Sequence, residues 1–388
     1  MKLKSLPEDF IVEEISNFAP DTDGRFYVYE LSKRSLATLE ALRLIARQAG
    51  MHARDLSAAG LKDKHGLTRQ LFSSPRALPG KLEDERLSIR LVGKTGSRLT
   101  AGSIIGNRFE ITMRNLNEDE LAVLPGNADE IRRFGLPNYY DNQRFGGIAH
   151  GRGFIGRALV LGDFEQALRL HLAAPHRKQS MRDKANRRLG DEHWGDWETL
   201  HKGMTAGPER ALVDYLKHNP GDWAGCFDRI TPSLRNLFVA AYQSWLFNET
   251  LRRMIEAVGR VQHVKYKAGE LAFYRELPQA TLAQWREMQL PLLGPGTNLE
   301  DFPEAAPFVA AVLETEGITQ EQLSVPGLDR TGFKASTRTA LMWPGKFELS
   351  EPVPDELNPE GRAVTVRFEL GRGMFGTMVT RRLGLRPD

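Results

Sequence analysis

The feature that most constrains this chain is a change of hydrophobic period that occurs twice. Over residues 1–115 strand patterns dominate, in the aromatic and β-branched run Phe26-Tyr27-Val28-Tyr29-Glu30-Leu31 and in the alternating stretches Leu87 to Val92 and Arg108 to Met113. Period two on such residues is the mark of half-buried antiparallel strands. Leu39, Leu42, Ala46 and Ala49 recur at helical spacing before a stop at Gly50. Asp119 to Phe134 reads as helical at its end and broken by Pro125-Gly126. From Asp163 to about Val258 the helical period takes over, most clearly in Leu234 to Val258. After punctuation at Leu293-Gly294-Pro295-Gly296 and Phe302-Pro303-Glu304, strand character returns in Thr339 to Trp343 and Ala363 to Leu370. Strands at both ends of a helical middle predict one α+β domain carrying a second as an insertion. A length of 388 residues exceeds what one core usually supports and asks for two domains independently.

The charge balance, 53 − 50 = +3, says little, but its distribution says more. From Arg144 to Arg188 ten Lys or Arg face three acids, and after Gly361 six Arg face two. Such blocks are what a polyanion-binding face carries, and also what a solvated helix face carries. The single cysteine, Cys226, excludes an intrachain disulfide or a thiolate cluster and fits a reducing, cytoplasmic setting. Met1 to Phe10 contains no apolar signal run, and no apolar stretch approaches membrane-spanning length.

Several chemistries lack their signatures. The nine histidines show no metal-ligand spacing, so no metal site is expected. Gly151-Arg152-Gly153-Phe154-Ile155-Gly156 and Gly371-Arg372-Gly373-Met374-Phe375-Gly376 match a dinucleotide fingerprint, but neither sits in a βαβ unit. Both read as turns where the backbone takes positive φ or approaches a ligand closely. Val92-Gly93-Lys94-Thr95 lacks the leading glycine of a phosphate loop, since Ser88 stands there. No Gly-x-Ser-x-Gly elbow is present, and Cys226 reads as a small buried residue.

Two segments remain. Gly60-Leu61-Lys62-Asp63-Lys64-His65-Gly66-Leu67-Thr68-Arg69-Gln70 sets one carboxylate between two lysines and a histidine. Those neighbours would favour the ionised form, and such an aspartate can act as nucleophile or base without a metal. Taken alone, the segment reads more simply as a charged turn. Asn138-Tyr139-Tyr140-Asp141-Asn142-Gln143-Arg144-Phe145-Gly146 mixes amides, aromatics and an arginine. It could stack and read a flipped base, or pack over a domain edge.

Together these segments resemble the TruD family of tRNA pseudouridine synthases, and the resemblance runs in order through most of the chain. Pro7-Glu8-Asp9-Phe10-Ile11-Val12-Glu13-Glu14 is similar to the family's opening segment, and Gly60 to Gln70 to its catalytic segment. Gly106-Asn107-Arg108-Phe109, Asn138 to Gly146, Ala241-Tyr242-Gln243-Ser244-Trp245-Leu246-Phe247-Asn248 and Gly373-Met374-Phe375-Gly376-Thr377 continue it. Tyr140 stands where the family commonly has phenylalanine, Asp141-Asn142 replaces a glycine-led pair, Ala37-Thr38 replaces Asn-Thr, and Met374 and Gly376 replace small residues.

The resemblance implies an α+β fold: a pseudouridine-synthase core with a mixed, mainly antiparallel sheet and an inserted, mainly helical α+β domain. The core is expected over residues 1–155 and 334–388, the insertion over 156–333. It implies isomerisation of uridine, by family analogy uridine 13 of tRNA, with base flipping and no cofactor. The catalytic role falls on Asp63. Tyr140 and Phe375 would stack on or wall the base, and Asn138 would bond near the aspartate or the uracil edge. Lys62 and Arg144 would pair with the carboxylate or a phosphate. The partner implied is tRNA, gripped in a basic cleft walled by the insertion, and a monomer is compatible with the fold. The rivals are a catalytically inactive RNA-binding protein of the same fold and an RNA methyltransferase, the latter wanting a glycine-rich cofactor loop that is not seen.

Overall fold

The structure is a computed structural model describing all residues except 81, 83, 147–151, 175–179, 326, 329–330 and 387–388. The chain forms two compact units, one from Met1–Leu136 and Met342–Asp388, the other from Pro137–Leu341. The second is inserted in the sequence of the first, with its ends at 136/137 and 341/342, where the sequence reading sets 155/156 and 333/334. The outer segment joins the second unit because its aromatics pack there: Phe145 on Tyr266, and Phe154 on Tyr242 and Trp245.

The first unit is built on a nine-stranded sheet. Its spatial order is Gly345–Leu349, Arg362–Gly371, Ile104–Leu116, Phe10–Ser16, Leu67–Ser74, Phe26–Arg34 and Leu87–Thr95, with Ser57–Ala58 and Val353–Pro354 paired alongside. Phe10–Ser16 and Leu67–Ser74 run parallel, and the remaining pairs are antiparallel. The sheet is mixed and mainly antiparallel. Alternation fixes the register: Phe368 lies opposite Phe109 and Val366 opposite Ile111, all four buried, with the two rings stacked at 5.2 Å. A one-residue slip would turn this entire row to the other face.

Helix Thr38–Gln48 buries Ala41, Leu42, Ile45 and Ala46 against Tyr29, Leu31 and Phe72. Leu39 is 52% exposed, so the buried stripe is rotated from the one the sequence suggests. A second correction concerns Glu118–Phe134, which is one continuous helix with Pro125 inside it. An Asn117–Glu120 capping box fixes its start, and buried Leu124, Ala128 and Ile131 hold the turns on both sides of the proline.

The second unit is mainly helical. Its longest helix, Pro232–Ala257, carries Phe238, Tyr242, Leu246 and Phe247 into the core, surrounded by Ile155–Val160, Phe164–Leu172 and Ala306–Glu316. Two antiparallel strand pairs complete it, the hairpin Val261–Tyr266 with Gly269–Tyr274 and the long-range pair Gln289–Leu292 with Ser336–Thr339. Cys226 is fully buried here. No helix among the described residues is long and apolar enough to cross a membrane.

In the two fingerprint-like glycine runs the middle residues take positive φ, +98° at Gly153 and +79° at Gly373, as turns require, and the last residues have packing explanations. A Cβ on Gly156 would lie 2.7 Å from Tyr242 Cβ, and one on Gly376 would lie 2.8 Å from the Phe109 ring. Both glycines admit close approach of protein elements. Gly151 lies outside the described residues.

Candidate active site

Asp63 sits in the loop between Ser57–Ala58 and Leu67–Ser74, its side chain 17% exposed. Lys4 Nζ donates to its Oδ2 at 2.9 Å. This lysine stands 59 positions earlier in the chain, outside the charged segment around Asp63. Lys62 Nζ instead lies 2.7 Å from Glu14 Oε2, where both side chains are almost fully buried. That contact is one of charge, since its angles do not make a hydrogen bond at Oε2. Lys64 reaches toward Glu40 at 3.9 Å, and His65 is exposed.

Lys4 is held from both sides. Lys2 exchanges two backbone hydrogen bonds with Arg114, and Asp9, buried at the other end of the segment, accepts from Arg114 Nε at 2.8 Å. Arg114 Nη1 also donates to buried Asp355 at 3.0 Å. The Pro-Glu-Asp-Phe segment is therefore a structural anchor that leads Lys4 to Asp63. Lys4 takes φ +58°, a left-handed conformation costing a side-chain-bearing residue roughly 1–2 kcal/mol. Such strain survives where the surroundings over-determine it.

The Asp63 loop is clamped from below by the strand–helix segment 33–38. Lys33, 1% exposed, donates from Nζ to the carbonyls of Leu36 and of Asp63 itself, both at 2.7 Å. Thr38 Oγ1 accepts from the Lys62 amide at 3.0 Å and donates to Gln70 Oε1, while Gln70 Nε2 donates to the Gly60 carbonyl. Burial pushes Lys33 down to about 8; Asp63 pulls it up and Lys62 pushes it further down.

Phe375, half-buried, precedes helix Gly376–Leu383 in the same unit. The contact of Gly376 with Phe109 sets the start of that helix against the sheet.

In the second unit Asn138, Tyr140 and Arg144 lie together. Asn138 is 1% exposed, and its amide is engaged locally: Nδ2 donates to Thr339 Oγ1 at 2.8 Å and to the Thr339 carbonyl, and Oδ1 accepts from Arg338 Nη2. These bonds fix the amide within the second unit. Arg338 also donates from Nε to the Asn138 carbonyl at 2.8 Å. Its guanidinium sits 4.2 Å from the Tyr140 ring centre, that of Arg144 5.0 Å from it, and Phe247 meets the ring edge-on. Burial holds Arg338 down to about 10, opposed by Tyr140. Arg144 Nε is buried with no hydrogen-bond partner among the described residues. Asn248 brackets the Tyr140 backbone, accepting from its N–H and donating to its carbonyl, each at 2.9 Å.

The basic excess of Arg144–Arg188 is partly spent internally. Arg152 pairs with Asp191 and Arg157 with Glu316, while Arg187 donates to the carbonyls of Leu170, His171 and Ala174 at the end of the Phe164–Leu172 helix. Arg182 and Arg188 are exposed on Met181–Glu192; Arg177 and Lys178 lie outside the described residues.

Sequence reasoning missed Lys4, Lys33 and Arg338. Lys33 had a signal: it lies two residues beyond Leu31 on the inward face of its strand, where a lysine needs a reason. Lys4 and Arg338 are brought in by tertiary structure and had none.

The family model describing tRNA pseudouridine synthase D (TruD) matches residues 1–383. A Methanocaldococcus jannaschii protein assigned as tRNA pseudouridine synthase D 2 is 32% identical over 392 residues, covering 98% of this chain and 91% of its own. The Aquifex aeolicus tRNA pseudouridine synthase D is 27% identical over 391 residues, covering 99% and 98%. A crystal structure from Methanosarcina mazei assigned to tRNA pseudouridine synthase D (TruD) superposes with a TM-score of 0.72 at 27% identity, covering 98% of this chain and 92% of that one.

Proposed function

This chain belongs to the TruD family of tRNA pseudouridine synthases, and from that premise we propose that it isomerises a tRNA uridine, by family analogy uridine 13, with Asp63 as the catalytic carboxylate. The observation carrying this is the Lys4–Asp63 pair: a partly accessible carboxylate held at 2.9 Å by a cation on a strained, doubly anchored residue. Its work would lie with the cytoplasmic tRNA pool, with the protein acting as a monomer and without a cofactor.

The reaction breaks the N1–C1′ bond, turns the uracil, joins C5 to C1′ and removes the C5 proton. One proton leaves C5 and one is gained at N1, so atoms and electrons balance, and the protein supplies position, proton transfer and, on the nucleophilic route, a transient bond to C1′. An ionised Asp63 serves either as nucleophile at C1′ or as the base that takes the C2′ proton. Lys4 keeps the carboxylate directed. The nucleotide must leave the RNA stack to reach it. Phe375 is the proposed wall for the released base. Tyr140, with guanidinium groups already close to its ring, offers the base its edge and hydroxyl more readily than an open face. Arg144, with a buried unsatisfied N–H, is suited to a phosphate or carbonyl oxygen of the substrate, and Lys62, committed to Glu14, supports the loop. Arg182 and Arg188 would meet the tRNA backbone.

The test is tritium release from [5-³H]uridine-labelled tRNA by wild type and Asp63→Asn, without added cofactor or metal. Release by wild type alone, with tRNA binding retained by both, supports the proposal. Binding by both with release by neither would favour an RNA-binding protein that has lost catalysis.

A further inference from the structure

We propose that Lys33 is a positioning residue for Asp63: its buried ammonium fixes the backbone from which the carboxylate projects and keeps a positive charge behind it. The inference rests on reading Asp63 as the catalytic group.

The geometry is specific. Lys33 is 1% exposed, yet among the described residues its Nζ makes no ion pair; it donates at 2.7 Å to two backbone carbonyls, of Leu36 and of Asp63. Leu36 is three residues along the same chain segment, whereas Asp63 is 30 residues away on another loop. The ammonium therefore ties the Asp63 loop to the end of strand Phe26–Arg34. Burying a cation without a carboxylate partner is costly, and hydrogen bonds to carbonyls recover only part of the loss. A methionine or leucine would fill an inward strand position at no such cost. The lysine is thus poorly explained by packing and well explained by what it holds.

Thr38 and Gln70 repeat the theme on the preceding residues, bonding the Lys62 amide and the Gly60 carbonyl. They hold the loop by neutral bonds. Lys33 alone in this set adds charge, so its contribution depends on its protonation. The charged groups facing it are Asp63 and Lys62. Behind these stand Lys4 and Glu14, and its cross-strand neighbours Thr68 and Leu87 carry no charge. With Lys33 pushed down to about 8, protonation would begin to fail just above neutral pH. The neutral amine keeps two donors for its two carbonyls and loses the charge, so turnover should decline while the fold persists.

The experiment measures single-turnover rate against pH for wild type, Lys33→Met and Lys33→Arg on the same tRNA, with tRNA binding and thermal melting for each. Lys33→Met should slow the chemical step by on the order of 10–100-fold and leave the tRNA Kd within about twofold. Wild type should lose rate as pH rises through about 8, the value burial gives Lys33. Lys33→Arg, charged throughout this range, should restore part of the rate and move the alkaline limb upward. Unchanged rates in a folded Lys33→Met, an effect on Kd alone, or an alkaline limb in Lys33→Arg identical to wild type would each overturn the proposal. If Lys33→Met does not fold, the position of that limb in Lys33→Arg decides. A wild type inactive on every tRNA would sink the reading of Asp63 instead, so the two failures are separable.

Discussion

Lys4 Nζ lies 2.9 Å from Asp63 Oδ2, although 59 residues separate them and neither belongs to a helix or strand. A charge-assisted bond of this kind is worth about 1.5–3 kcal/mol. If it orients the carboxylate for chemistry, Lys4→Met should lower kcat by roughly 10–100-fold and change KM little. Steady-state tritium release would check this. A proportional rise in KM with constant kcat would mean Lys4 serves RNA binding.

Arg114 joins two buried carboxylates, Asp9 and Asp355, and also carries the backbone bridge to Lys2. Arg114→Met would leave both acids buried without their cation, at a cost of about 3–5 kcal/mol. Denaturant unfolding should show the loss as a lower midpoint.

The same cluster sets an acid limit. Burial alone would raise the Asp355 carboxyl, but the amides of Leu357 and Asn115, with Asn358 and Arg114, outweigh it and hold it well below the usual range. A depressed folded value means its stabilisation is complete above the unfolded value of about 3.9 and disappears as pH falls through the folded one. Melting temperature should therefore drop below about pH 4, and less steeply in Asp355→Asn.

Asn248 reads both the N–H and the carbonyl of Tyr140, as a neighbouring strand would. Asn248→Ala would leave two buried backbone groups unpaired, at about 1–3 kcal/mol each before relaxation. Tyr140 would lose its fixed place beside Arg338. We expect a lower melting temperature and slower turnover, with Asn248→Asp, which keeps only the acceptor, recovering part of each.

Exposed Arg182 and Arg188 should act through phosphates. Replacing both by alanine should weaken tRNA binding across sequences and flatten the plot of log Kd against log salt by roughly 1–2. An unchanged slope from filter binding at several salt concentrations would remove this helix from the interface.

Much of this architecture is legible in the sequence because burial imposes a period. Strand Arg362–Gly371 and helix Pro232–Ala257 lie within a few residues of their patterned stretches, since alternation and helical spacing are local consequences of having one buried face. Pro125 misleads, because losing one donor inside a helix is outweighed by the capping box and the buried face around it. Asp63 is legible through its motif, whereas its partner is not. Lys62 and Lys64 are adjacent in sequence, but backbone direction sends them to Glu14 and Glu40, and Lys4 arrives through a sheet register that no local pattern encodes.

The placement of Arg362–Gly371 inside the sheet has a consequence for how the protein is made. This strand pairs along Ile104–Leu116 and also carries Gly345–Leu349 on its other edge. On the ribosome, Ile104–Leu116 emerges more than two hundred residues before its partner. Pro137–Leu341 can collapse on its own during that interval, while the first unit waits with an open hydrogen-bonding edge. The carboxylate loop and Lys4 are both synthesised early, yet the sheet supporting them closes only once Arg362–Gly371 has been translated. Premature termination just before Arg362 should therefore yield a folded insertion tethered to an incomplete, aggregation-prone half, so that activity is withheld until this strand has been made.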